Sequence, residues 1–419
     1  MRPGSLEPAV ILRRVGRSLR RIASLIVALA VLAAVLVGAH LYLLRRLVFD
    51  PQLPEPWVRV ACVAVALLGA SLVAEPIAGR ALPPRYTRLV AWPAGLWMGT
   101  CFLLLLLLGA SDLGLWLTGS PALAATADAG AARSASGARA ATVLALALFG
   151  AAAGLAQALR PPRIRRVRFA IDGWPRELSG YRIVQLSDLH FGPILGRRFA
   201  ESLARRVAAL APDLVAVTGD LADGNAELLA DEVAPLAGLR ARHGVYFVTG
   251  NHDHYSGASA WAARAEALGM RVLRNEHVRI GDAATPGFDL VGVDDHNGRL
   301  VGSGGEDLSR ALAGRDPARP AILLAHDPST FKRARHAGID LQISGHTHGG
   351  QIWPFGLVVR LVIPWVAGAH RDGRAQLYVS RGTGFWGPPM RLFAPAEITE
   401  IVLDAPGAPG SAAPVRVSP

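Results

Sequence analysis

The sequence predicts a chain in two parts. An α-helical transmembrane region of about four helices comes first, followed by an α/β domain in which two β-sheets form a sandwich flanked by helices. Two observations carry this. The uncharged apolar runs Ile22–Leu44, Val60–Ala74, Leu89–Ser111 and Ala140–Leu159 all fall within the first 160 residues, and a bilayer-crossing helix takes ~20 such residues. Beyond them, short aliphatic or β-branched runs each end in a polar tip and alternate with helical patterns. That is the order of a sheet presenting ligands along one edge. The boundaries are a helical domain over 1–160 (spans at about 22–44, 58–76, 89–111 and 140–159), a basic linker over 161–168, the α/β domain over 169–404 and a tail over 405–419. The tail is rich in Pro, Ala, Gly and Ser and is expected to be disordered.

The first span follows a basic arm containing Arg13, Arg14, Arg17, Arg20 and Arg21. Its apolar run is too long for a signal-peptide core of about 7–15 residues, so it reads as a retained helix. Val60–Ala74 is shorter, lies between Arg59 and Glu75, and spans if its ends snorkel. Leu89–Ser111 contains the leucine run Leu103–Leu108, and Asp112 is expected to mark its exit, since a carboxylate at mid-bilayer is costly. Gly119–Arg139 reads as a mobile loop. Ala140–Leu159, rich in Ala and Gly, suits close helix packing.

The net charge of +12 is unevenly placed. Residues 1–168 hold 19 Arg against 6 Asp/Glu, while residues 169–419 hold 25 Lys/Arg against 26 Asp/Glu. The excess therefore sits beside the apolar helices, where it sets orientation. A nucleic-acid partner would need a basic patch on the α/β domain and is not expected. With four spans, the segments richest in arginine fall on one side: six in the N-terminal arm, three over Arg80–Arg88 and five over Arg160–Arg168. The expectation is a multi-pass protein of the cell (inner) membrane with its α/β domain cytoplasmic. Without Val60–Ala74 as a span, that domain would move to the opposite face. His40 and Glu75 are the main polar residues of the spans, poor support for a translocation path. Cys62 and Cys101 both fall in spans, which argues against a structural disulfide and excludes a cysteine metal site.

The polar tips carry the chemistry. Ser344-Gly-His346-Thr-His348-Gly-Gly-Gln351 follows the apolar segment Ile339–Ile343, and alternation along such a loop aims both imidazoles into one cleft. Upstream tips are Asp188-Leu-His190 after Ile183–Leu186, Gly219-Asp220 after Leu214–Val217, Gly250-Asn251-His252-Asp253 after Val245–Val248, and His326-Asp327 after Ile322–Leu324. Asp, Asn and His together make a donor set for borderline divalent metals.

This series resembles the calcineurin-like metallophosphoesterase superfamily, in particular bacterial members with membrane helices ahead of the phosphoesterase domain. The likeness spans roughly Phe169 to Asp404. It implies the two-sheet sandwich and two divalent ions, with Mn, Fe or Zn fitting the donors. By that resemblance Asp220 bridges the ions; Asp188, His190 and His348 hold the first; Asn251, His326 and His346 hold the second. The implied reaction is metal-assisted hydrolysis of a phosphoester or pyrophosphate bond by a metal-bridging hydroxide. His252 is the implied general acid, with Asp253 as its orienting partner.

Asp223 is expected behind the ligands, and His254 near substrate. His243, His277, His296, His336 and His370 lack a matching tip and are read as surface or loop residues. Arg381 follows a strand and faces either phosphate or a surface partner. The stretch Ile352–Val366, strongly apolar with Trp353 and Trp365, reads either as buried strand and loop or as an apolar lip at the membrane interface. The lip reading makes the substrate a lipid-linked phosphate or pyrophosphate and places the protein in lipid metabolism. The competing readings are a phosphodiesterase or phosphatase of soluble substrates, a non-catalytic scaffold, and a regulator of membrane transport.

Overall fold

The computed structural model describes residues 8–119, 129–281 and 285–407. The expected tail beyond residue 407, and residues 120–128 of the expected loop, lie outside them. The described chain forms two compact units, Met1–Ala70 with Thr100–Leu148, and Ser71–Gly99 with Phe149–Pro419.

Among the described residues, four helices are long and apolar enough to cross a membrane: Ile26–Phe49, Glu55–Ala81, Pro84–Leu117 and Gly130–Ala158. They belong to α1 (Pro8–Leu44, continued by a π-turn to Phe49), α2 (Glu55–Ala81), α3 (Pro84–Leu117) and α4 (Ala129–Ala158). Leu32, Val35, Leu67, Leu89 and Phe149 are largely exposed, as expected of helices whose solvent is lipid. The second span is longer than its uncharged run because α2 carries Glu55, Arg59, Glu75 and Arg80 on its ends. α4 corrects the loop expected over Gly119–Arg139. Its first turns are dominated by alanine and serine, and alanine is the strongest helix former, so low complexity here is helix.

Within the first unit, Asp112 is inside α3 rather than beyond its end. It receives a hydrogen bond from the Tyr42 hydroxyl at 2.6 Å and an ion pair from Arg46 at 2.8 Å, and Arg139 closes on its other oxygen. The carboxylate thus ties α1, α3 and α4 together. Cys62 and Cys101 are free thiols.

The second unit contains two six-stranded sheets. The first is ordered β1 (Arg163–Ala170), β12 (Glu397–Asp404), β2 (Tyr181–Leu186), β3 (Leu214–Thr218), β4 (Val245–Val248) and β5 (Arg271–Val272). The second is ordered β10 (Gly368–Asp372), β11 (Ala375–Val379), β9 (Leu341–Ser344), β8 (Ala321–Leu324), β7 (Phe288–Gly292) and β6 (Glu276–Ile280). Strands β2 to β5 run parallel, as do β7, β8, β9 and β11. Between the sheets Ile183, Leu214, Val248, Leu290, Leu324, Ile343 and Tyr378 are buried in one core. The other face of the first sheet packs Val184, Val217 and Phe247 against Leu203, Val207 and Trp261 of the helices α5 (Arg197–Leu210) and α7 (Ala258–Ala267). Burial on both faces is why these strands read as continuous apolar runs.

The basic linker expected over 161–168 is largely strand. β1 pairs in parallel with β12, and its arginines find acids there, Arg166 on Glu400 at 2.7 Å and Arg168 on Asp404 at 2.9 Å. An edge strand can carry such charges because one flank is unpaired. Between β3 and β4 the chain forms only a short helix, Ala230–Val233, followed by a 3₁₀ turn, since Pro235 lacks the amide that a longer helix needs.

Candidate metal centre

The carboxyl ends of β2, β3, β4, β8 and β9 open on one side of the sandwich, which brings all the expected tips together. Three clusters of potential ligand atoms form there: Asp188, His190 and His348; His190, Asp220 and His252; and Asp220, His326 and His346. The backbone is strained at the same residues. Asp188, His190, Asp220, His346 and His348 all have φ between 46° and 72°, a left-handed region that costs a non-glycine residue on the order of 1–3 kcal/mol. Such strain persists only where surrounding structure over-determines it, and it gathers at sites where side-chain aim matters. Glycines let the tips close on one another: a Cβ on Gly250 would meet the Asp220 carboxylate, and one on Gly345 would meet Ser187 and Asp188.

The donor set fits divalent cations. His326 Nδ1 lies 2.9 Å from the Thr218 carbonyl, which assigns it the proton and leaves Nε2 as a lone pair. Nε2 faces Asp220 Oδ2 and Asn251 Oδ1, each at 3.1 Å, with His346 Nδ1 at 3.2 Å. Burial opposes a charge on His326, yet Asp220 and then Asp188 pull its imidazole well above the usual pKa. Carboxylate and imidazole atoms converging in this way suit a cation. On the other side, His190 Nδ1 lies 3.0 Å from both Asp223 oxygens, so its Nε2 faces His348 Nε2 at 3.1 Å and Asp220 at 3.7 Å. Asp188 Oδ2 is buried without a hydrogen-bond partner in the protein. His348 is held well below its usual pKa by burial, then by His190 and Arg391, and so is neutral, the form that ligates. Asp220 lies between the two groups, where a bridging ligand belongs.

His252 begins the short helix α6 (Asn251–Ser256) together with Asn251, which aims both into the cleft. Its partner differs from expectation. His252 Nδ1 is 2.7 Å from Asp223 Oδ1. The Asp253 carboxylate instead accepts the backbone N–H groups of Gly250, Asp220 and Leu221 at 2.8–2.9 Å. It staples the β4 tip to the β3 tip and leaves His252 to Asp223. The physical reason is helical direction, since neighbours in sequence point to different sides of α6. Burial opposes a charge on His252, but the Asp223 hydrogen bond and the Asp220 charge raise it to about 9. Burial likewise opposes ionisation of half-buried Asp223, and His190 and His252 more than offset it, so Asp223 stays a carboxylate.

His254 is buried between Thr249 and Ser303, 3.1 and 2.6 Å from their hydroxyls, and does not line the cleft. Arg381 faces Glu397 at 3.3 Å. His243 stacks on Tyr181, His277 reaches the Ala311 carbonyl and His370 that of Ala367. Asp327 stands behind His346 at 3.8 Å and also draws His296. One buried residue escapes any sequence pattern. Arg391 donates to the Gly384 and Ala394 carbonyls and lies 3.3 Å from His348 Nδ1, and burial lowers its guanidinium to about 10. Its neighbours Met390 and Leu392 make it look like part of an apolar strand.

A cavity of about 630 Å³ opens from His190, Asp223 and His252, with Tyr255 and Trp386 at its side. The apolar stretch after the histidines is mostly exposed helix. In α8 (Phe355–Val362), Leu361 and Val362 are 86% and 76% exposed, and Phe393 beside it is 81% exposed. Trp353 shares this surface, edge-on to Phe393 at 6.4 Å. Trp365 does not, because it packs against Phe331 at 5.4 Å.

The calcineurin-like phosphoesterase family matches residues 181–350, which hold every expected metal ligand. A Bos taurus protein called transmembrane protein with metallophosphoesterase domain is 42% identical over 263 residues, 60% of this chain and 59% of that one. An uncharacterised metallophosphoesterase of Campylobacter jejuni is 33% identical over 64% of this chain and 69% of its own. One from Aquifex aeolicus is 33% identical over 54% of this chain and 86% of its own. The chain belongs to the calcineurin-like phosphoesterase family. Its match spans about three fifths of the Bos taurus relative and of a Danio rerio one, 59% and 62%.

Proposed function

We propose that this protein is a membrane-anchored phosphoesterase, dependent on two divalent metal ions, that hydrolyses a lipid-linked phosphate or pyrophosphate. One observation carries the chemistry: Asp220 stands between two groups of buried imidazoles and carboxylates, with His190 Nε2 at 3.7 Å on one side and His326 Nε2 at 3.1 Å on the other. Asp188, His190 and His348 would hold one ion, Asn251, His326 and His346 the other, with Asp220 shared. Bound there, manganese, iron or zinc would supply Lewis acidity that polarises a phosphoryl group and acidifies water.

The chain's own groups do the rest. Asp223 accepts a hydrogen bond from the Nδ1–H of His190 and so keeps that ring's Nε2 aimed at the centre. The same carboxylate holds the His252 ring by Nδ1, which leaves Nε2 toward the cavity, where an imidazolium can protonate a departing oxygen. Asp253 keeps the two tips in register from behind, and Arg391 supports His348.

The membrane reading rests on the four apolar helices and on the exposed surface of Trp353, Leu361, Val362 and Phe393. That surface is continuous with helices of the membrane region. Met390 and Leu392 pack on Gly154 of α4, Pro389 packs on Gly95 of α3, and Trp353 N–H bonds the Leu392 carbonyl at 3.2 Å. An aromatic and aliphatic face beside spanning helices suits the headgroup boundary. The arginine bias supports a cytoplasmic position for the domain at the inner membrane. The direct test is hydrolysis of an aryl phosphodiester by protein stripped of metal and then reloaded with manganese. Activity that does not follow bound metal would end the reading.

A further inference from the structure

The cavity at His190, Asp223 and His252 is not closed by the sandwich alone. Its opposite wall consists of Leu72 and Glu75 of α2 with Ala91, Ala94 and Met98 of α3. These helix segments share one compact unit with the sandwich. Arg88 Nε donates to the Pro193 carbonyl at 2.6 Å and holds the start of α3 to the loop after His190. Ile194, Phe385 and Trp386 complete the apolar lining. The cavity is therefore polar at the metal residues, while its wall along two helices long enough to span a bilayer is mostly apolar, with Glu75 and Arg80 of α2 as its charged members. Ala91 and Ala94 keep the wall thin, and the volume lies within the ~300–1,000 Å³ of small-molecule sites.

We propose that this helix-walled cavity is the subsite for the alkyl portion of an amphiphilic phosphoester, which lies along α2 and α3 while its phosphate meets the metal residues. The inference rests on the phosphoesterase reading and names where its substrate's chain is bound. It differs from the exposed α8 surface, which touches the membrane but does not line this cavity. Leu72 and Met98 then set chain-length preference, because a methylene placed against them is removed from water.

The test uses the full chain in detergent with manganese and two p-nitrophenyl phosphodiesters, one hexadecyl and one ethyl. Leu72→Trp should lower the hexadecyl-to-ethyl ratio of kcat/KM on the order of 10-fold, the scale of one misfit in an apolar pocket. Met98→Trp, at a side chain already 40% exposed, repeats the test should Leu72→Trp fail to fold. A ratio unchanged in the folded variant overturns the subsite. A second readout needs no turnover: a hexadecyl phosphonate with a terminal diazirine should label residues 71–99 on illumination. Labelling confined to Phe355–Val362, or absent from both, also overturns it. If the wild type cleaves neither ester while labelling falls on 71–99, the phosphoesterase reading fails and the alkyl subsite stands.

Discussion

The two halves of the metal centre are built from similar residues but held by different means. His326 is fixed by the Thr218 carbonyl, a backbone group at the end of β3, and its ring is fully buried. His190 is fixed by Asp223, a half-buried side chain that also grips His252 and borders the cavity. One half thus borrows the rigidity of the sheet. The other shares its support with the proposed proton donor and opens toward substrate. In the proposed reaction, metal retention and proton transfer would be coupled on the second side and independent on the first, because one carboxylate cannot satisfy two imidazoles and be removed without cost to both.

The largest effect should come from the residue common to both halves. Asp220→Asn should reduce bound metal on both sides and bring hydrolysis to background, read by metal analysis beside turnover. A variant that keeps two ions would show that Asp220 does not bridge. His252→Ala should cost about 10²–10⁴-fold in turnover while both ions remain, and a substrate with a better leaving group should recover part of the loss. Loss of metal in that variant would move His252 into the ligand set.

Asp223→Asn sharpens the contrast between the halves. It should lower affinity for one ion, or activity, by about 10–100-fold and leave the His326 side loaded. A stoichiometry falling from two ions toward one is the expected reading, and equal weakening of both would dissolve the distinction. The smallest effect should come from the exposed apolar face. Leu361→Ser with Val362→Ser should reduce efficiency a few-fold on a long-chain lipid phosphate presented in vesicles, on the order of ~1 kcal/mol for partly buried side chains. The water-soluble headgroup analogue should change less, and an identical loss on both would remove the interfacial role.

Much of this site can be read along the chain because each ligand sits where an apolar run stops. Ile183–Leu186 ends at Asp188, Leu214–Val217 at Asp220 and Ile339–Ile343 near His346, so topology alone gathers them at one sheet end. Asp253 shows the limit of that logic. Adjacency to His252 made it look like the orienting partner, whereas helix geometry turned it onto the Gly250, Asp220 and Leu221 amides. In the membrane region the partners of Asp112, namely Tyr42, Arg46 and Arg139, were likewise not legible along the chain.

The sequence by itself determined the four apolar helices, the order of strand and tip, and the residue types of the candidate metal donors. These depend on hydrophobic run length and on residue type at strand ends, both local quantities. Only the tertiary structure decided that Asp223 serves His190 and His252 at once, that Arg391 backs His348, and that α2 and α3 wall the cavity. Those relations join residues far apart in the chain, and no periodicity records them, because a side chain's partner is chosen by packing in space rather than by its neighbours in sequence.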